Sequence, residues 1–74
     1  MKLYILEGHG LREVQDLIST NVVGVYSSLE RAKQERRLAE NDTYRLYYNY
    51  YILEVDLDEP SFLGSYIFDG EELG

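Results

Sequence analysis

Several groups of residues in this 74-residue chain have types and spacings that invite chemistry. Gly8 and Gly10 follow an apolar run with the G-x-G spacing that opens a phosphate-binding loop. The third glycine of such a loop is missing and Glu13 stands in its place, which sets a negative charge where a helix N-terminus would meet phosphate. His9 is the only histidine, and no serine, cysteine or metal-ligating residue lies at a supporting spacing; it reads as a solvent-exposed loop residue rather than a general base. Asp56-x-Asp58 has the start of a calcium loop, but Ser61 stands where glycine is needed and Ile67 where a bidentate glutamate is needed. Arg31, Lys33, Arg36 and Arg37 form a basic cluster that Glu30, Glu35 and Glu40 interleave, so it reads as a solvated helix face and not as a nucleic-acid face. The expectation is a protein that is not an enzyme and has no catalytic, cofactor or metal residues.

A different signal stands out between residues 44 and 58. Tyr44, Tyr47, Tyr48, Tyr50 and Tyr51 lead into an apolar run, and from Ile52 onward carboxylates occupy every second position. Strict alternation is the mark of a half-buried strand. It divides the stretch into two faces: Tyr48, Tyr50, Ile52, Glu54, Asp56 and Asp58 on one, Tyr47, Tyr51, Leu53, Val55 and Leu57 on the other. The all-apolar end of the second set points it at a core. The first set, continued by Glu59, is therefore expected to be an open, partner-binding face, because tyrosine supplies large rigid contact area with a polar tip.

The charge has a matching asymmetry. The net charge is −7, yet residues 1–53 hold equal numbers of acids and bases, while residues 54–74 hold seven acids and no base. Such a field disfavours nucleic acid and anionic membranes as direct partners and favours a basic protein. There is no cysteine, so neither a disulfide nor a thiolate metal site can staple the chain. The apolar N-terminus is interrupted at Glu7, too early for a signal peptide or a spanning segment, and the expected setting is the cytoplasm.

The elements that must position these residues follow from the same periodicities. Residues 2–7 are apolar on both alternating sets and read as a central strand that Gly8-His9-Gly10 ends. Residues 11–21 read as a loop with one helical turn, its second half extended from about Leu17. Residues 22–26 are β-branched and form a second strand, with Gly24 at a bulge or a close backbone approach. Ser27 and Glu30 have capping-box spacing, predicting a helix over residues 28–40 with Ser27 as its cap. Its stripe is thin: Leu29, Ala32 and Ala39, with Leu38 at the margin and the stems of Lys33 and Arg36. The tyrosine strand spans residues 45–58, Pro60 breaks it, and residues 62–68 fold back as a short edge strand.

The order β, β, α, β, β predicts a small, mostly antiparallel α+β sheet of order 2-1-3-4 with one helix on one face. One domain over residues 1–69 and an acidic, frayed tail over residues 70–74 complete the organisation.

Three segments carry a resemblance. Residues 2–6, the junction Val23-Gly-Val-Tyr-Ser-Ser-Leu-Glu-Arg-Ala-Lys33 and the strand at residues 51–58 resemble a family of small proteins frequent in bacteriophages and prophages. In that family a G-V-[YF]-S-S-x-E-x-A strand-to-helix junction and an I-x-E-x-x-L-D strand recur. The family's usual C-terminal tryptophan is absent here, and Phe62 stands about where it would be. The resemblance implies this fold and a phage setting, and it implies no activity. Together the residues and the resemblance describe an interaction protein that binds a basic host protein, one that handles nucleic acid being an example, and inhibits or redirects it. Mimicry of DNA charge by Glu54, Asp56 and Asp58 is one route. The alternative is an accessory protein with no host target that forms a homodimer through the tyrosine face; a small-ligand-binding domain at Gly8 and Gly10 is more distant.

Overall fold

A computed structural model describes residues 1–58 and 64–67. β1 (Lys2–Leu11) and β2 (Asp16–Tyr26) form a long antiparallel hairpin, α1 (Leu29–Glu40) crosses over, β3 (Asn49–Asp56) returns beside β1, and β4 (Ser65–Ile67) pairs with β3. The strand order is β2-β1-β3-β4, antiparallel throughout, as the order of elements predicts. The expectations of a frayed tail over residues 70–74, of a break at Pro60, and of an edge strand reaching residues 62, 63 and 68, together with Glu59, fall outside the described residues.

The hairpin is longer than its sequence suggests. Gly8-His9-Gly10 does not end β1, and residues 16–21 are strand rather than loop; a four-residue turn at residues 12–15 joins the two arms. The extended half expected from about Leu17 is present. Local polar contacts hold the turn: Gln15 takes a positive φ of 56°, and the Asp16 carboxylate accepts the backbone N–H groups of Ile18 and Ser19 and the Ser19 hydroxyl. A polar stretch reads as a loop when its partner strand is unknown, and here its hydrogen bonds go to β1.

The two glycines belong to packing. A Cβ on Gly8 would fall inside the Tyr47 ring, and Gly10 has a φ of 76° beneath the Tyr48 ring. Gly24 stands at a bulge, where Val23 is the extra residue between the pairs Leu6–Gly24 and Glu7–Val22.

α1 begins one residue later than capping-box spacing indicates. Ser28, not Ser27, is extended (φ −128°, ψ 132°), and its hydroxyl accepts the Arg31 N–H at 3.3 Å. Glu30 then falls in the first turn, where it favours the helix dipole without closing a box. Ala32 and Arg36 are buried, Leu29 and Ala39 pack at the edge of the core, and Leu38 points to solvent. Asn41 closes the helix, its side-chain amide donating to the Arg37 carbonyl at 2.8 Å.

The main correction concerns the phase of β3. Leu6, Ala32, Tyr50 and Ile52 form the buried core, joined by Tyr4, Tyr26, Leu29, Ala39, Tyr47 and Ile67. Tyr50 and Ile52 therefore lie under the helix, and Leu53 and Val55 lie on the opposite face, the inverse of the expected assignment. The alternation within β3 is the expected one, and it is the side that α1 covers that differs. Residues 44–48 are not part of β3; Arg45 ties them into a loop by donating from Nε to the Tyr47 carbonyl at 2.9 Å and from Nη2 to the Tyr48 carbonyl. Its guanidinium lies over the Tyr50 ring at 5.5 Å. Once the alternation is broken there, Tyr47 and Tyr50 reach the same side and meet edge-to-face at 5.7 Å.

Candidate binding surface

The helix covers one side of the sheet. Register assigns the other side: Leu3 pairs with Val55, Ile5 with both Leu53 and Val25, Glu7 with Tyr51 and Val22, and Leu53 with Tyr66. Directly opposed residues share a face, so these rows make an apolar floor that runs from β2 to β4. Leu3, Ile5, Leu53 and Val55 are half-buried, while Val22, Val25 and Tyr66 are exposed. α1 is the only helix among the described residues, and it packs on the far side.

Set into this floor is a polar cluster. Glu7 is 9% exposed, and its Oε1 lies 2.9 Å from His9 Nε2 and accepts the Tyr66 hydroxyl at 2.8 Å. The His9 ring meets Tyr51 edge-on at 4.7 Å and Tyr66 at 6.2 Å. His9 is thus a strand residue held by a carboxylate rather than a loop histidine. The Tyr66 hydroxyl is shifted above the usual phenol range, first by donating to Glu7, then by burial and the carboxylate's charge. The cluster was legible in part: the acid that ends the apolar run Tyr4-Ile5-Leu6 shares a strand face with the histidine two residues on. Tyr66 comes from the other end of the chain, and only the β3–β4 pairing brings it in.

Chemically, the cluster is a hydrogen-bonded set of carboxylate, imidazole and phenol. It lies on the face of the sheet opposite α1. The described groove of about 470 Å³ is elsewhere, lined by Arg12, Glu13, Thr43, Tyr44, Arg45 and Leu46. Its arginines bind the backbone: Arg12 Nη1 donates to the Arg45 carbonyl at 3.1 Å, and Arg45 to Tyr47 and Tyr48. Among the described residues no three His, Asp or Glu side chains are placed to hold a metal ion.

The expected partner-binding residues do not form one surface. Tyr50 and Ile52 are buried in the core, and Tyr48 is half-buried against Gly10. Glu54 accepts from Lys2 Nζ at 3.0 Å, a bond that raises the pKa of the lysine. β3 ends at Asp56, whose Oδ1 accepts the Asp58 N–H at 3.2 Å, so Asp58 stands in a turn and does not extend a row along the strand. The Met1 amino group lies 3.5 Å from both Asp56 and Asp58. Glu59 is outside the described residues.

Among the described residues no helix is long and apolar enough to cross a membrane. No protein-family model, no curated protein and no solved structure matches the chain.

Proposed function

We propose that this chain is a binding module that holds another protein against the face of its sheet that the helix leaves uncovered. The observation that supports the reading is the apolar row of Leu3, Ile5, Leu53, Val55 and Val25 on the side opposite α1, half-buried except for the exposed Val25 and met by Gly64 at Leu53 and Val55, which a small domain has reason to cover further. The partner is a basic protein, because residues 54–74 hold seven acids and no base; of those described, Glu54 and Asp56 share the side of Ile52, Lys2 meets Glu54, and the Met1 amino group meets Asp56 and Asp58, so these acids act on a partner at long range rather than lining the floor. The resemblance to phage proteins favours a host bacterial protein, met in the host cytoplasm and inhibited or redirected there. DNA mimicry draws less support than the general reading. Only Glu54 and Asp56 lie on the strand, and Lys2 already engages Glu54.

The test is affinity capture from bacterial lysate with the wild-type chain and with a Leu3→Ser/Val55→Glu variant, circular dichroism serving as the control for folding. A basic protein retained by the wild type and lost by the folded variant supports the reading. Equal retention by both, or no protein retained by either, overturns it.

A further inference from the structure

We infer that the Glu7 carboxylate, framed by the rings of His9, Tyr51 and Tyr66, is the seat for a lysine side chain of the partner, an inference that deepens the proposed function and rests on it. Glu7 and His9 lie two apart on β1, Tyr51 stands opposite Glu7 on β3, and Tyr66 stands opposite Leu53 on β4, so all four share the side away from α1. Across β2 and β3, no residue paired with Leu3, Ile5, Glu7 or His9 is charged. Glu7 is thus the acid that a partner meets when it lies on this row.

A carboxylate set this deep in a neutral face is poorly solvated, and its hydrogen bonds leave its charge in place. Oε1 takes both of them, from the Tyr66 hydroxyl at 2.8 Å and from His9 Nε2 at 2.9 Å, and with the imidazole neutral both donors are uncharged. Among the described residues no hydrogen bond reaches Oε2. A cation brought to that oxygen supplies the compensation that a buried charge requires. The cluster is accessible through its walls: Tyr66 is 42% exposed and the His9 side chain 28%.

Geometry selects the kind of cation. A guanidinium grips a carboxylate through two parallel bonds and stacks flat on an aromatic ring. Here Oε1 is already doubly engaged, which leaves one oxygen, and the three rings stand at 73° to 75° to one another, a corner rather than a stack. A compact ammonium fits that corner. It donates to Oε2 and lies against Tyr51 and Tyr66, whose centroids are 6.1 Å apart, so both rings fall within the roughly 6 Å reach of cation–π attraction. The apolar row at Ile5 and Leu53 receives the methylene stem of the lysine. The acids of residues 54–74 draw a basic protein from a distance, and Glu7 makes the contact.

The test pairs a small probe with the capture experiment. n-Butylammonium is titrated into the full chain and read by NMR, with n-butylguanidinium as the comparison and circular dichroism as the control for folding. The expected result is a saturable shift of the His9, Tyr51 and Tyr66 ring signals, stronger for the ammonium and weakened at least about tenfold in Glu7→Gln and, independently, in Tyr66→Ala. Shifts centred on Glu54, Asp56 and Asp58, shifts indifferent to both substitutions, or tighter binding of the guanidinium would each overturn the inference. A dimer of the full chain in sedimentation velocity that Glu7→Gln dissolves would give the seat to a second copy and overturn it as well. The two readings fail separately. A basic protein captured equally by the wild type and by Glu7→Gln overturns the lysine seat and leaves the binding face standing, whereas capture of no protein overturns the binding face and the seat with it.

Discussion

Leu6 and Ile52 stand directly opposite each other on β1 and β3, and both are fully sealed from solvent. That pair decides which side of the sheet is the inside. Ala32 joins them from α1, a residue small enough for the helix to approach closely. The rest of the core is largely tyrosine, which fills the space between a thin helix stripe and the strands.

The first prediction tests this phase. Ile52→Asp buries an unpaired carboxylate and should abolish cooperative unfolding in a domain this small. Val55→Asp, on the opposite face, should retain a cooperative transition by circular dichroism. Loss of structure in Val55→Asp with tolerance of Ile52→Asp would place the helix on the other side.

The second concerns the start of α1. Ser28→Ala should cost on the order of 1 kcal/mol, because the Arg31 N–H loses its acceptor. Ser27→Ala should stay within about 0.5 kcal/mol, as expected for a surface change. Urea denaturation midpoints of the two variants distinguish these residues.

Gly8 supplies the third. Gly8→Ala drives a methyl into the Tyr47 ring and should destabilise by about 1–3 kcal/mol, the usual cost of overpacking. A Tyr47→Ala background should remove most of that penalty, since the clash is with this ring alone among the nearest atoms. Thermal denaturation of the two single variants and the double variant gives the coupling.

The fourth is a pH dependence. The Tyr66 phenol is shifted up in the folded state by its bond to Glu7, so its contribution to stability is fully present below the unfolded phenol value of about 10. It is lost as pH rises through the higher folded value. Ultraviolet titration should find one tyrosine that ionises above the usual range, and Glu7→Gln should return it toward that range. No late-titrating tyrosine in the wild type would dissolve the cluster.

Asp16 behaves in the opposite sense. The Ser19 hydroxyl and then the Ile18 N–H hold its pKa below the usual carboxylate value, so it contributes above the unfolded value and the contribution is lost as pH falls through the folded one. Asp16→Asn should flatten the acid limb of the stability profile measured by denaturant titration. An unchanged acid limb would mean that the hairpin end does not depend on this carboxylate.

The sequence by itself determined the element order, the helix and the topology. Those features rest on local periodicity, on the absence of glycine and proline from residues 28–40, and on chain connectivity, all of which are readable along one dimension. The strand alternation at residues 52–56 was legible too, but its sign was not. Both alternating sets hold large apolar groups, Tyr50 and Ile52 against Leu53 and Val55, and propensity does not rank them. The tertiary structure decided, because Gly8 leaves room for Tyr47 and Arg45 breaks the strand before Tyr50, which turns the aromatic set toward α1. The Glu7, His9 and Tyr66 cluster divides the same way. The first two share a face by spacing alone, while Tyr66 arrives 59 residues away in the chain from Glu7 through strand pairing, a long-range contact that no local pattern encodes.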